Sequence, residues 1–289
     1  QRIRPEHLLK MPLSLPSPAQ QRAIADYLDT ETTRIDALIT KKRRMIEVLD
    51  ERRTEAIAQA VTAGFEADRP MVPTGNPFAP EMPVGWKLHR LRHVVDDIVD
   101  TAHKTAPVVD DGEFLVVRTA NVKKGDLVLG NAVYTDEAGW REWTERGVPA
   151  PGDVMFTREA PAGEACVVPP DMRLCIGQRM VLIRVSRQKL SGEWLVHSIY
   201  AGAAQRFIEI LSRSTTVAHL NMSDIPDIPV VVPPLSEQES ILARLRRTLE
   251  IQEESTRALE RQIDLLVERR QALITAVVTG ELSVPGVAA

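Results

Sequence analysis

The chain repeats itself at a constant offset of 217 residues, and that repeat limits what it can fold into. Pro233 falls on Pro16, Gln238 on Gln21, Ile241 on Ile24 and Leu245 on Leu28. The register continues without a gap: Arg261 meets Arg44, Ile263 meets Ile46 and Leu266 meets Leu49. Glu268-Arg269-Arg270 then fall on Glu51-Arg52-Arg53, and Ile274, Val278 and Thr279 on Ile57, Val61 and Thr62. Loops drift in length between copies, so an ungapped repeat this long means two copies of one rigid element.

Periodicity makes that element a helix. In the second copy apolar and seam positions alternate steps of four and three through Leu245, Leu249, Gln252, Thr256, Leu259, Ile263, Leu266, Arg270, Leu273 and Val277. The first copy keeps the phase through Leu28, Thr32, Ile35, Ile39, Lys42, Ile46, Leu49, Arg53, Ala56 and Ala60. This is a heptad seam, and no proline or glycine interrupts it. At 1.5 Å per residue, roughly 43 residues make a rod of about 64 Å. One apolar stripe needs a partner, and the other copy is the natural one, giving an antiparallel coiled coil within the chain. The polar intrusions Lys42, Arg53, Gln252, Thr256 and Arg270 are expected to fix register or to face another subunit. Ser17 and Ser236 are the cap candidates, with Glu239 expected to complete a capping box at Ser236.

Around these helices the chain divides as follows. By the same offset Leu8, Pro12 and Leu13 fall on Ile225, Pro229 and Val230, so residues 1–17 read as the end of a first globular domain and the chain as the C-terminal portion of a longer one. Residues 18–65 form the first helix, stopped by Gly64. Pro70, Pro73, Pro77, Pro80 and Pro83 make residues 66–85 an extended linker. Residues 86–232 form a mixed domain with strand-like runs at Phe114–Arg118, Leu127–Leu129, Val154–Thr157, Ala165–Val168 and Met180–Val185, and one helix from about Glu193 to Leu211. Residues 233–282 are the second helix and 283–289 a tail. The fold class is α+β, a loop-rich domain beside two long helices.

Composition removes several functions. No apolar run approaches a membrane span, and no signal-type segment opens the sequence, which suits a cytoplasmic protein. Cys166 and Cys175 lack the company needed for a disulfide framework or a zinc site. The formal net charge of −4 excludes a globally basic nucleic-acid binder. The charge is uneven, however: residues 171–219 hold seven basic side chains against three acidic ones, while residues 96–113 hold six acidic ones against Lys104 alone. No phosphate loop, glycine-rich dinucleotide turn or Asn/Asp-Pro-Pro-aromatic loop for a flipped base is present. Asp110, Asp111 and Glu113 lack the lysine of a nuclease site, and His89 and His93 lack a third metal ligand. No catalytic or metal site is expected in this chain.

Pro233-Pro234-Leu235-Ser236-Glu237-Gln238 entering a long helix, and Arg269-Arg270-Gln271-Ala272-Leu273-Ile274 followed by Val278-Thr279-Gly280 at its end, resemble the conserved regions of type I restriction-modification specificity subunits. Pro83-Val84-Gly85-Trp86 is similar to the start of that family's target recognition domain. Val117-Arg118-Thr119-Ala120-Asn121-Val122, Gly152-Asp153-Val154, Gly163, Gly177-Gln178-Arg179 and Ser214-Thr215 resemble its landmarks. Gln20 stands where the family has a glutamate. The resemblance implies a non-catalytic subunit that reads half of a split target in double-stranded DNA. It also implies two modification (adenine methyltransferase) subunits and motor-nuclease restriction subunits as partners. S-adenosylmethionine would then belong to the methyltransferase, and ATP and magnesium to the motor-nuclease. The helix seam (Leu28, Ile35, Ile39, Ile46 and Leu49 against Leu245, Leu249, Leu259, Ile263 and Leu266) would hold two recognition domains apart.

Candidate DNA contacts follow from residue type. Arginine and lysine fork onto guanine, asparagine and glutamine onto adenine, and hydroxyls mostly hold phosphate. Arg118, Thr119, Asn121, Lys123 and Lys124 combine these types in a strand and its turn. Arg158, the pair Gln178 and Arg179, and the polar run Arg213, Ser214 and Thr215 complete the set. Two other readings stand beside this one: a half-length specificity protein acting as a dimer, and a coiled-coil scaffold that binds no DNA.

Overall fold

The computed structural model describes residues 15–101, 104–213 and 219–285. The repeat appears as two long helices, α1 (Pro18–Thr62, 45 residues) and α5 (Leu235–Val278, 44 residues). None of the predicted seam positions is exposed, from Leu28 to Ala60 in α1 and from Leu245 to Val277 in α5, while most residues between them are. α1 stops where expected. Gly64 takes φ +73° and its N–H donates to the Gln59 carbonyl at 3.0 Å, closing the last turn.

The capping box forms in the other copy from the one predicted. Ser17 N–H donates to Gln20 Oε1 at 2.9 Å, and Gln20 N–H to Ser17 Oγ at 3.4 Å. In the second copy the helix already begins at Leu235, so Ser236 lies inside the first turn. The Pro234 carbonyl takes the amides of Glu237 and Gln238, both at 2.9 Å, and no serine cap is needed.

The chain forms two compact units, Gln1–Glu51 with Ile251–Ala289, and Arg52–Glu250, so the division falls within both helices. In the first unit Ile35, Ile39 and Leu259 are buried. Lys42 Nζ donates to Gln262 Oε1 at 2.5 Å, and Arg270 Nε lies 3.1 Å from Asp36 Oδ1. Numbers fall along one helix as they rise along the other, so the pair is antiparallel. Two of the polar intrusions, Lys42 and Arg270, are thereby matched across it.

The second unit opens with β1 (Met71–Asn76) and β2 (Ala79–Pro83), an antiparallel hairpin where the prolines predicted an unpaired linker. A two-stranded ribbon has two free edges, so a missing proline N–H can face outward at no cost. Then come β3 (Lys87–Arg90), β4 (Val95–Asp100), β5 (Phe114–Val117), β6 (Val122–Lys123), β7 (Asp126–Leu127) and β8 (Val133–Thr135). After α2 (Glu137–Trp143) follow β9 (Val154–Thr157), β10 (Ala165–Val167), β11 (Leu174–Ile176) and β12 (Met180–Val185). The single helix predicted over 193–211 is two, α3 (Gly192–Tyr200) and α4 (Gly202–Arg213), broken where Gly202 takes φ +75°. β13 (Pro229–Val232) pairs with β3 and delivers the chain into α5.

The centre is an antiparallel four-stranded sheet in the order β10-β9-β12-β4. Both faces of its inner strands are covered, which explains their unbroken apolar runs. Val154, Phe156, Val181 and Ile183 point into one core with Trp86, Trp194, Leu195, Val61, Ile241 and Leu245. Met155, Met180 and Leu182 point the other way, against Leu115, Val117, Leu174 and Ile176 of a second sheet ordered β11-β5-β8. α2 covers the outer side of that sheet through Trp143 and Trp140, packed with Val116 and Cys175. Burial raises the thiols of Cys166 and Cys175 to about 12, so both are unreactive core side chains.

Candidate nucleic-acid interface

The four-stranded sheet has two ends with different tasks. At one end Lys189 and Ser191 meet the start of α5. Gln238, fully buried, donates from Nε2 to the carbonyls of Lys189 and Pro233, both at 2.9 Å, and accepts from Ser191 N–H at 2.9 Å. Beside it Glu237 pairs with Arg69 and accepts from Trp86 Nε1 at 2.9 Å. Trp86 packs edge-on against Trp194 with ring centroids 5.5 Å apart. This end of the domain is therefore fixed rigidly to the near end of the helix.

The opposite end collects the predicted contacts. β9 runs out at Thr157 beside the start of β12 at Met180, so Arg158 and Arg179 stand side by side; Arg158 N–H donates to the Arg179 carbonyl at 2.9 Å. β5 and β11 are parallel and end together, where Gly177 N–H donates to the Val117 carbonyl at 2.8 Å. That brings Arg118 next to Gly177 and Gln178. Lys124 and Gly125, with φ +50° and +95°, form the tight turn of the β6–β7 hairpin. The Glu164 carboxylate ties this hairpin to the start of β10, accepting from Lys124 N–H and Tyr200 Oη, both at 2.6 Å. Lys123 and Lys124 thus join the same end of the sheet, and both are exposed.

Not every predicted residue has a surface to offer. Asn121 is 1% exposed; its Oδ1 accepts from Arg118 N–H at 3.1 Å and its Nδ2 donates to the Val128 carbonyl at 2.9 Å. Its amide therefore holds the turn after β5 and has little surface left for a base, in place of the adenine contact its type suggested. Thr119 is half-buried in that turn. Arg158 is 7% exposed, and its Nε has no hydrogen-bond partner among the described residues. Arg213 ends α4, and Ser214 and Thr215 lie outside the described residues.

Two residues at this end carried no sequence signal. Glu159 follows Arg158, and His219 forms a β-bridge with it. The Glu159 carboxylate lies 3.6 Å from Arg158 Nη2, 3.5 Å from Arg179 Nε and 3.2 Å from His219 Nδ1. The loop that presents it is built from buried Thr157, whose Oγ1 donates to the Pro161 carbonyl at 2.6 Å and accepts from Glu164 N–H at 2.9 Å. Ala160 and Arg179 take φ +48° and +69°, left-handed conformations that cost a non-glycine residue about 1 kcal/mol or more and that the surrounding contacts must hold. Among the described residues no three His, Cys, Asp or Glu side chains converge as a metal site. No described helix is long and apolar enough to cross a membrane.

One end of the α+β domain is thus fixed to the start of α5, and the other bears exposed cations. Comparison with known proteins gives the chain a family. The family model described as the type I restriction modification DNA specificity domain matches residues 102–265, more than half the chain. A putative type I restriction enzyme MjaX specificity subunit from Methanocaldococcus jannaschii is 22% identical over 240 residues, covering 82% of this chain and 52% of that protein. Among solved structures, a chain from a study of complex assembly and conformational transition in a type I restriction-modification system aligns with a TM-score of 0.69. It is 19% identical, over 93% of this chain and 61% of its own. The HsdS subunit from Thermoanaerobacter tengcongensis aligns with a TM-score of 0.55 at 21% identity, over 93% and 60%.

The chain belongs to the type I restriction-modification DNA specificity family, whose members are specificity subunits and not catalytic ones. It spans about half the length of the curated relative it matches.

Proposed function

We propose that this chain reads one half of a bipartite DNA target for a type I restriction-modification complex, docking methyltransferase subunits along its helices. The observation that carries the reading is the gathering of Arg118, Lys123, Lys124, Gln178 and Arg179 at the end of the sheet away from Gln238. Guanidinium, ammonium and amide groups there supply both phosphate attraction and base-edge hydrogen bonds. An acidic chain tolerates this when partner subunits embrace the duplex and supply most of the phosphate contacts. Methyltransferase would bring S-adenosylmethionine; restriction subunits would bring ATP and magnesium.

The internal repeat supports the bipartite half of the proposal. Gln21 Nε2 donates to the Pro16 carbonyl at 2.8 Å, as Gln238 does to Pro233. Gln238, Ile241 and Leu245 are buried against the recognition domain, whereas Gln21 is exposed and Ile24 and Leu28 are half-buried. The same contrast holds at the helix C-termini, where Val61 is 4% exposed and its counterpart Val278 is 68% exposed. A second recognition domain fits this face, from the same polypeptide or, in a dimeric half-subunit, from a second copy. For methyltransferase docking, Ile251 and Leu265 stand exposed two heptads apart on α5, outside the seam.

The test is charge reversal at Arg118 and Arg179 in the full chain assembled with its methyltransferase. Binding to a target duplex falls at least tenfold if this end meets DNA. Unchanged binding with intact assembly would favour the scaffold reading.

A further inference from the structure

Glu159 is out of place on a surface that meets phosphate, because a carboxylate there repels the duplex. Yet it is held from three sides. Oε1 faces Arg158 Nη2 and His219 Nδ1, and Oε2 faces Arg179 Nε. Arg158 is buried and cannot itself reach a groove, so it serves to fix the carboxylate. Arg179 is different: its side chain is 52% exposed, and with Nε turned to Glu159 its two terminal nitrogens form a fork that has no partner among the described residues. At 3.5 Å and 3.6 Å the arginine contacts are loose, so the carboxylate keeps acceptor capacity.

A carboxylate beside an arginine fork matches one base pair and not the other. Across the major groove a G·C pair presents acceptor, acceptor, donor: guanine N7 and O6, then cytosine N4. An A·T pair presents acceptor, donor, acceptor, so a two-donor fork meets a donor and the carboxylate meets the thymine oxygen. Both guanidinium nitrogens and the carboxylate are satisfied together only by G·C, with guanine under the arginine.

We propose that Glu159 and Arg179 act as one unit that reads a single G·C pair in the half-site, Arg179 on guanine O6 and N7 and Glu159 on cytosine N4. Arg158 and His219 are positioning residues for the carboxylate. This rests on the reading of the chain as a specificity subunit. It goes beyond that reading by assigning one base pair to two residues, one of them acidic.

The test uses the full chain expressed with its partner subunits, and maps adenine methylation across the host genome for wild type, E159Q and R179Q. Thermal melting of each purified variant checks folding, and R179Q alters a half-exposed side chain. Wild type must first show a two-part motif; without one, the specificity reading itself has failed. Given the motif, both variants should lose discrimination at the same G·C position of one half-site, by about 5- to 150-fold, with every other position kept. Relaxation at two different positions, relaxation at an A·T position, or an unchanged motif in folded variants would overturn the proposal. So would uniform weakening at all sites, which would make Arg179 a phosphate contact.

Discussion

The indole Nε1 of Trp86 donates to the Glu237 carboxylate at 2.9 Å, joining the first residue of the predicted recognition domain to the first turn of α5. Arg69 completes the node: it pairs with the same carboxylate and lies 5.1 Å from the Trp86 ring centroid. Residues 69, 86 and 237 are far apart in sequence, so this half-buried group sets how the domain leaves the helix.

Glu237 should therefore matter to stability in a pH-dependent way. Burial alone would raise its pKa, but the hydrogen bonds from Arg69 and Trp86 and the Arg69 charge outweigh that and lower it. A carboxylate depressed in the folded state adds stability above its unfolded pKa and loses it as pH falls through the folded one. E237A should cost about 2 kcal/mol at neutral pH, since charged hydrogen bonds are worth roughly 1.5–3 kcal/mol. The difference from wild type should shrink below about pH 4, the ordinary carboxylate range. Denaturant unfolding across pH reads both numbers; a pH-independent difference would contradict the assignment.

The two glutamines of the repeat should differ in weight. Q238A removes a fully buried amide and leaves the Ser191 N–H and the Lys189 and Pro233 carbonyls without it, and should cost about 2–4 kcal/mol. Q21A removes an exposed amide and should cost under about 1 kcal/mol in this chain alone. Thermal melts of the two variants check the contrast. Equal costs would mean that the first copy is already covered.

Much of this was legible in sequence because it obeyed a period. The helix seam followed heptads, and β9 and β12 stood out as apolar runs because both of their faces are buried. β4 escaped because it is an edge strand with Asp96, Asp97 and Asp100 in a half-exposed run, and α2 because seven residues are too few for a helical period. The proline hairpin escaped because prolines are compatible with a ribbon that has two free edges. At the candidate interface, cations at strand ends were readable by type. Asn121 misled because a side-chain amide serves a turn as well as it serves a base, and Glu159 acquires meaning only beside Arg179.

Helix substitutions should separate stability from assembly. I39A empties a 7%-exposed seam position and should cost about 2–3 kcal/mol. L265E changes a 63%-exposed residue and should leave stability within about 0.5 kcal/mol while weakening co-purification with the methyltransferase. Intact co-purification would place docking elsewhere.

Arg179 offers a trade between strain and recognition. R179G relieves the left-handed backbone at φ +69° and should stabilise the fold by about 1 kcal/mol. Sequence discrimination should fall in the same protein. A destabilised R179G would show that the side chain is mainly structural.

The most direct measurement maps methylated adenines in the host genome with and without this gene intact. The account predicts a split, two-part motif whose methylation vanishes with the gene, and in which replacing residues 86–232 changes one half alone. A motif that survives loss of the gene, or one whose two halves both change on that replacement, would contradict it.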